Sequence, residues 1–314
     1  MTPNFLIGQY STLLIAPNIR EGIKKENLHL IYDGLEFCFP PNSQESAAYV
    51  KYVHSVSNKI IVKHQRNHYR LMLSSLQGFD EIDDGIRLTL QKTDYSHTCF
   101  VWDYYKRKRI DLTSSYRLIK TQNQLLPNSL CMHLLIETND GKIVSTLSSP
   151  NKMADYPNTI AFTVGEQLEL SDITESKTLQ CCSADIWLKR TFSEEFGLTE
   201  DHYKMMINTD SFRILGLYFE GNIHNFALFC IVRLNISYEE FYREVNPTLD
   251  HHEISSLSGI EFDSITRMLS TERNRFVCHP SSAMRLFLYS MHKQGLEATV
   301  RSFLSNGIKI KQME

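Results

Sequence analysis

The sequence predicts a mixed α/β chain of the α+β type, with a mixed sheet and helices packed against it. Three observations carry this. Leu130, Met132, Leu134 and Ile136 alternate at period two within 129–138, and a second apolar run, Ile143–Leu147, follows across Asn139-Asp-Gly-Lys142, the strongest short-range hairpin signal. Residues Ala184–Phe196 read as a helix, with Asp185 near its start and Gly197 just past its end, where a left-handed residue is wanted. Two long apolar runs, Ile214–Phe219 and Asn225–Arg233, then precede a closing helix over Pro280–His292. At 314 residues the chain exceeds one ordinary domain. The expected division is an α+β unit over 1–118 and a second domain over 119–314.

In the first part, short apolar segments alternate with turn residues. Phe5–Ile7, Thr12–Ile15, Leu28–Tyr32 and Leu35–Phe39 are punctuated by Gly34 and Pro40-Pro41. Ser43–Val53 reads as a helix capped by Ser43, with Ala47, Val50 and Val53 on one side. His64–Leu76 reads as another, ending before Gly78, and Ile86–Leu90 alternates as a strand does. In the second part, Asn158–Val164 adds a strand and 166–183 a polar stretch. In the closing helix Pro280 occupies the first turn, and Ala283, Phe287, Leu288 and Met291 share a face.

Composition narrows the class. Hydrophobic residues make up 42% and charged residues 22%, which excludes long disorder. The formal net charge of −3 gives no overall bias toward nucleic acid or anionic membrane. The first ten residues carry no basic start followed by an apolar stretch, and the longest apolar run, Phe226–Val232, falls far short of the roughly 18 residues a membrane span needs. A cytoplasmic location is the expectation. The seven cysteines are odd in number, irregular in spacing and contain no C-x-x-C pair, so reduced thiols are expected rather than a zinc ribbon or redox motif.

The chemistry-bearing segment is Lys189-Arg-Thr-Phe-Ser-Glu-Glu-Phe-Gly-Leu198. On a helix, positions 191, 194, 195 and 198 share one face, so Glu194 and Glu195 are expected to point the same way. Arg190 lies one turn before Glu194 and can pair with it, while Phe192 and Phe196 bury another face. Adjacent carboxylates suit Mg²⁺ or Mn²⁺, hard cations that bind through one or two carboxylates plus substrate phosphates. A cation bridging phosphate oxygens neutralises charge and generates a hydroxide nucleophile. Two glutamates late in a helix also read simply as a solvated face.

The run from Arg190 to Leu198 resembles the second half of the Nudix box, R-E-U-x-E-E-x-G-U, where U is a bulky apolar residue. Arg190, Glu194, Glu195, Gly197 and Leu198 agree, with Phe192 as the bulky residue. The surroundings are similar too: Thr138-Asn-Asp-Gly-Lys142, a segment ending at Gly165, then Leu215-Gly-Leu217 and the strand from Asn225. The resemblance spans about 122–304. It implies a Nudix-type α/β/α sandwich with a mixed sheet, a metal held by Gly165, Glu194 and Glu195, and catalysis through Arg190, Glu194, Glu195 and Glu253. Two departures stand out. Thr191 occupies the position of the first box glutamate. Gly165 lies 25 residues before Arg190 against 14 in the family pattern, so eleven residues are inserted within 166–183. The missing carboxylate has four candidates there, Glu166, Glu169, Asp172 and Glu175, and a fifth in Glu253 of Asp250-His-His-Glu253.

The layout is similar to UDP-sugar pyrophosphatase-type and defence-associated Nudix-like proteins. The expected function is therefore divalent-metal hydrolysis of the pyrophosphate in a nucleoside diphosphate derivative, such as a nucleotide-sugar. The alternative is a catalytically lapsed Nudix domain that acts as a nucleotide-binding sensor or protein-interaction module. Ligand partners are a nucleotide or nucleotide-sugar, with no membrane, no nucleic acid and a homodimer as the assembly. The one basic run, Tyr105-Lys-Arg-Lys-Arg109, beside Trp102 and Tyr104, reads as a solvated turn or strand edge, with RNA binding as its weaker reading. No phosphate-binding G-x-x-x-x-G-K-[ST] loop, G-x-G-x-x-G, H-E-x-x-H or G-x-S-x-G motif occurs.

Overall fold

Alternation along two neighbouring strands builds the centre of the protein, seen in a computed structural model. It describes residues 4–7, 11–15, 20–55, 67–71, 79–82, 85–108, 129–150, 156–220, 225–249, 253–265 and 278–313. Strand β8 (Ser129–Glu137) runs parallel to β13 (Asn225–Leu234), in register from Ser129 opposite Asn225 to Glu137 opposite Arg233. Because side chains alternate across a strand, Leu130, Met132, Leu134 and Ile136 join Phe226, Leu228, Cys230 and Val232 on one face. Leu135, Ala227, Phe229 and Ile231 lie on the other. Both strands are buried almost from end to end and mainly apolar because both faces are covered.

The order of elements follows from there. Strands β1 (Asn4–Ile7), β2 (Ser11–Ile15), β3 (Ile23–Lys24) and β4 (Leu28–Glu36) precede helix α1 (Gln44–Ser55). Next come β5 (Asn67–Leu71), β6 (Phe79–Ile82), β7 (Gly85–Asp94) and α2 (Tyr95–Lys108). After β8 stand β9 (Lys142–Ser148), β10 (Ile160–Ala161), β11 (Val164–Gln167), α3 (Leu170–Leu179), α4 (Ser183–Phe196) and α5 (Glu200–Met206). β12 (Ile207–Glu220) and β13 lead to α6 (Tyr238–Val245), β14 (Ile254–Glu261), α7 (Ser282–Gln294), α8 (Leu296–Ser305) and β15 (Ile310–Met313). The sheet is mixed: β8 with β13 and β4 with β7 are parallel, and β12 is antiparallel to β13, β2 and β3. Among the described residues no helix is long and apolar enough to cross a membrane.

Helices cover both faces of the central strands. Helix α4 buries Ala184, Trp187, Leu188, Thr191, Phe192 and Phe196, a helical stripe, against the first face. Each of its phenylalanines, fully buried, contributes roughly 1.5–3 kcal/mol. Helix α7 lays Phe287, Leu288 and Met291 on the second face, where Phe303 of α8 meets Phe287 edge-on. The predicted mixed α/β architecture is thus what forms.

Several local expectations hold in detail. Ser43 Oγ accepts from the Ser46 amide. Gly141 in the β8–β9 turn and Gly197 after α4 both have positive φ, which a side chain would strain. Gly197 also admits Thr248, whose Cβ would sit 2.8 Å from any Cβ added there.

Other expectations are corrected. Residues 67–71 of the expected helix over His64–Leu76 form strand β5, because pairing along β7 outweighs a short stretch that local pattern reads either way. The strand expected over Asn158–Val164 is two: β10 pairs with β9 and β11 with β8. The polar stretch 166–183 contains helix α3, started by a capping box between Glu169 and Asp172. The backbone of 105–108 is the end of α2 rather than a turn or strand edge. The division expected at 118/119 lies outside the described residues, and β1 and β2 extend the sheet of the later part through β12 and β15.

Candidate functional site

Helix α4 presents two different surfaces at its C-terminal end. Successive helical residues are about 100° apart, so Glu194 and Glu195 diverge rather than point together. Glu195 lines a cavity of about 170 Å³ on the sheet, whereas Glu194 turns to Arg190, its Oε2 3.5 Å from Nη1. The cavity also brings in Gly165 from β11 and Glu253 from the start of β14. Three of the positions proposed from the sequence, spread over 88 residues, therefore meet at one cavity. Asp250, His251 and His252 lie outside the described residues.

Arg190 is the centre of the second surface. Its Nε donates to Asp172 Oδ1 at 3.0 Å and its Nη2 to Asp172 Oδ2 at 2.9 Å, the bidentate fork a guanidinium makes best. Nη2 also donates to the Gln167 carbonyl. Glu166 lies at 3.0 Å and Glu169 at 3.8 Å. Orientation of Glu194 is thus the lesser part of Arg190's work: it ties β11, α3 and α4 together. The eleven inserted residues supply this, since α3 places fully buried Asp172 under the guanidinium. One cation shared among four carboxylates leaves them crowded. Burial pushes the Glu166 carboxyl up to about 7, with Arg190 pulling it down and Glu194 pushing it further up.

The candidates for the absent box carboxylate separate on this geometry. Asp172 is consumed by Arg190, and Glu175 is exposed on α3. Glu166 and Glu169 stand in the Arg190 cluster, and Glu253 stands at the cavity. Thr191 is fully buried, one turn before Glu195, and its Oγ1 donates to the Trp187 carbonyl at 2.8 Å. Among the described residues no three His, Cys, Asp or Glu side chains form a closed metal cage. Glu195, Glu253 and the Gly165 backbone, all lining the cavity, can offer oxygen donors, the type a hard divalent cation takes.

The cavity floor was not legible in the sequence. β11 lies antiparallel to β8 with Gly165 opposite His133 and Gln167 opposite Cys131. These four residues, with Asn225 from β13 and Arg285 from α7, form the floor. Gly165 makes the space: a Cβ there would sit 2.9 Å from His133 Cδ2. His133 Nδ1 is hydrogen-bonded to the Tyr218 hydroxyl and its Nε2 lies 3.6 Å from Glu220 Oε2. Burial, joined by the charge of Arg285, pushes the His133 imidazole well below its usual range, so the ring is neutral. Burial raises Glu220 and the Cys131 thiol. The fully buried Arg285 donates to Ser281 Oγ and to the Phe162 and Val164 carbonyls, holding β11 over the cavity. The one available signal was weak: His133, a titratable residue inside an otherwise apolar strand.

Comparison with known proteins gives little. No protein-family model matches the chain, and no curated protein matches it. Among solved structures, DR0079 from Deinococcus radiodurans is 14% identical, covering 50% of this chain and 80% of its own, with a TM-score of 0.35. Tm1382, provisionally described as a Nudix hydrolase, is 10% identical, covering 71% of this chain and 99% of its own, with a TM-score of 0.31. Scores this low leave the site's own geometry as the basis for a functional reading.

Proposed function

We propose that the chain is a Nudix-like pyrophosphohydrolase that cleaves a nucleoside diphosphate derivative, such as a nucleotide-sugar, with Mg²⁺ or Mn²⁺. The observation that supports this is the meeting of Gly165, Glu195 and Glu253 at one cavity. In this reading Glu195, Glu253 and the Gly165 carbonyl would hold the cation, with Glu194 turned to Arg190. A bound divalent cation neutralises phosphate charge and lowers the pKa of bound water. The chain's own residues do the rest. Arg190 is a positioning residue, fixing the α4 terminus against β11 through Asp172 and Gln167. Arg285 holds the Val164 carbonyl and so the strand that carries Gly165. His133, kept neutral, packs under Gly165 without adding charge.

The test is turnover. Purified protein with Mg²⁺ or Mn²⁺ is offered UDP-sugars, ADP-ribose, dinucleoside polyphosphates, NAD, CoA and nucleoside triphosphates, with phosphate release and chromatography as readouts. Metal-dependent cleavage that disappears in Glu195→Gln, with the protein still folded, is expected. Equal cleavage in Glu195→Gln and wild type ends the proposal.

A second reading is a lapsed Nudix domain that binds a nucleotide without cleaving it. Buried Thr191 favours it, because the box position that carries a carboxylate in the family has its hydroxyl spent on the helix backbone. Ligand-induced thermal stabilisation with no product, across the same panel, distinguishes it.

A further inference from the structure

The floor of the cavity holds two amide oxygens with nothing to accept from. Gln167 Oε1 and Asn225 Oδ1 are both screened from water, and neither has a donor among the described residues. Both residues line the cavity, and Asn225 is only 4% exposed. The Asn225 amide is held in orientation, since its Nδ2 donates to Glu220 Oε2 at 3.2 Å. Its oxygen therefore faces away from Glu220. Gln167 sits two residues after Gly165, on the same side of β11, opposite Cys131. Buried acceptors are almost always satisfied in folded proteins, and each exception calls for an explanation.

We infer that the sheet side of the cavity, at Gln167 and Asn225, is a recognition subsite for hydrogen-bond donors, and that it selects a ligand ring bearing an amino group. The ring's N–H bonds go to Gln167 Oε1 and Asn225 Oδ1. The size agrees. The cavity of about 170 Å³ is close to the ~150 Å³ that encloses one benzene ring, so it takes the amino-bearing six-membered ring of a base, with the second ring of a purine lying outside it. The surroundings agree as well. Gly165 keeps the floor open, and His133 and Cys131, both disfavoured as ions by burial, offer weakly polar contact rather than competing charge. Combined with the proposed function, on which this identification of the ring rests, the preferred substrates carry an amino-bearing base: adenine, cytosine or guanine rather than a ring lacking exocyclic nitrogen.

Binding separates this inference from the hydrolysis itself. Calorimetric titration of the full chain with AMP and CMP is compared with the same monophosphates lacking the amino group, purine riboside 5′-monophosphate and 2-pyrimidinone riboside 5′-monophosphate. The expected result is a preference of at least about tenfold for an amino-bearing ligand over its des-amino partner, the scale of one lost hydrogen bond to a buried acceptor. In Gln167→Met, which keeps the side-chain volume, the preference shrinks to about threefold or less. Asn225→Leu provides the second variant, with far-ultraviolet circular dichroism confirming its fold. Equal affinity within each wild-type pair overturns the inference. So does a preference undiminished in both variants, or the absence of binding by all four ligands at millimolar concentration. Hydrolysis of a nucleoside diphosphate derivative without any such preference removes this inference and leaves the proposed function in place. A preference without hydrolysis does the reverse.

Discussion

Arg190 on α4 and Arg285 on α7 stand on helices covering opposite faces of the central strands, and their partners differ in kind. Arg190 is surrounded by carboxylates: a bidentate pair to Asp172, with Glu166, Glu169 and Glu194 around it. Arg285 bonds to neutral oxygens, one hydroxyl and two backbone carbonyls, with Glu220 acting on it only through space. The Arg190 guanidinium is held by groups of the fold on β11, α3 and α4 and reads as a fastening. The Arg285 region borders a cavity whose acceptors Gln167 Oε1 and Asn225 Oδ1 go unanswered among the described residues. At the cavity, these two unanswered acceptors are the atoms that the inference above assigns to a ligand.

Removing the fastening is the strongest way to break that contrast. Arg190→Met leaves Asp172, fully buried, without its counter-ion. Breaking a buried pair by removing one partner costs about 3–5 kcal/mol, so the urea midpoint is expected to fall steeply. A loss under about 1 kcal/mol would show that Arg190 does not tie β11, α3 and α4 together.

The adjacent glutamates give the next test. If Glu195 belongs to the cavity and Glu194 to the Arg190 cluster, their amides behave differently. Glu195→Gln is expected to lower kcat by roughly a hundredfold or more with thermal stability unchanged. Glu194→Gln is expected to cost less than about tenfold, since its neighbour keeps the cavity position. Steady-state kinetics on whichever substrate the screen identifies decides this, and equal losses would return both residues to one site.

Gly165 connects the two regions, and its test sharpens the cavity. In Gly165→Ala the new Cβ meets His133 Cδ2 at 2.9 Å and Nε2 at 3.2 Å. Overpacking of this kind costs about 1–3 kcal/mol, and ligand binding should weaken with it. His133→Ala added to Gly165→Ala removes the clash, so the double variant should recover part of the affinity. Additive losses in a double-mutant cycle would place the effect of Gly165 elsewhere.

What the sequence makes legible follows from range. Alternation in 130–136, the Asn-Asp-Gly turn and the helix ending at Gly197 are local signals, and all three form as expected. Strand β5 was missed because its five residues are fixed by pairing with β7, a contact no window over 64–76 contains. Helix α3 was missed because its hydrophobic stripe is thin: only Ile173 among its buried residues is apolar, with Asp172 and Ser176 beside it. The local resemblance points to Gly165 and Glu195, which line the cavity, and to Arg190 beside it. It could not find the floor, because His133, Gln167 and Asn225 are brought together by the parallel pairing of β8 with β13 and the return of β11. Nor could spacing alone show that Glu194 and Glu195 diverge, since that depends on where Arg190 stands.

The smallest expected effect concerns the proton on Glu166. Its carboxyl is pushed up to about 7 in the folded chain, chiefly by burial, against 4.5 as its ordinary value. Below pH 4.5 the group is protonated whether the chain is folded or not. Between 4.5 and 7 the unfolded chain releases the proton while the folded chain keeps it, so stability falls as pH rises through this window. Above 7 the group is ionised in both states and the loss is complete. Glu166→Gln removes this contribution while Asp172 continues to hold Arg190. The urea midpoint of the variant should therefore drop less between pH 5 and pH 8 than that of the wild type. Identical slopes would mean that Arg190 answers Glu166 as fully as it answers Asp172, and that the cluster of four carboxylates is not crowded after all.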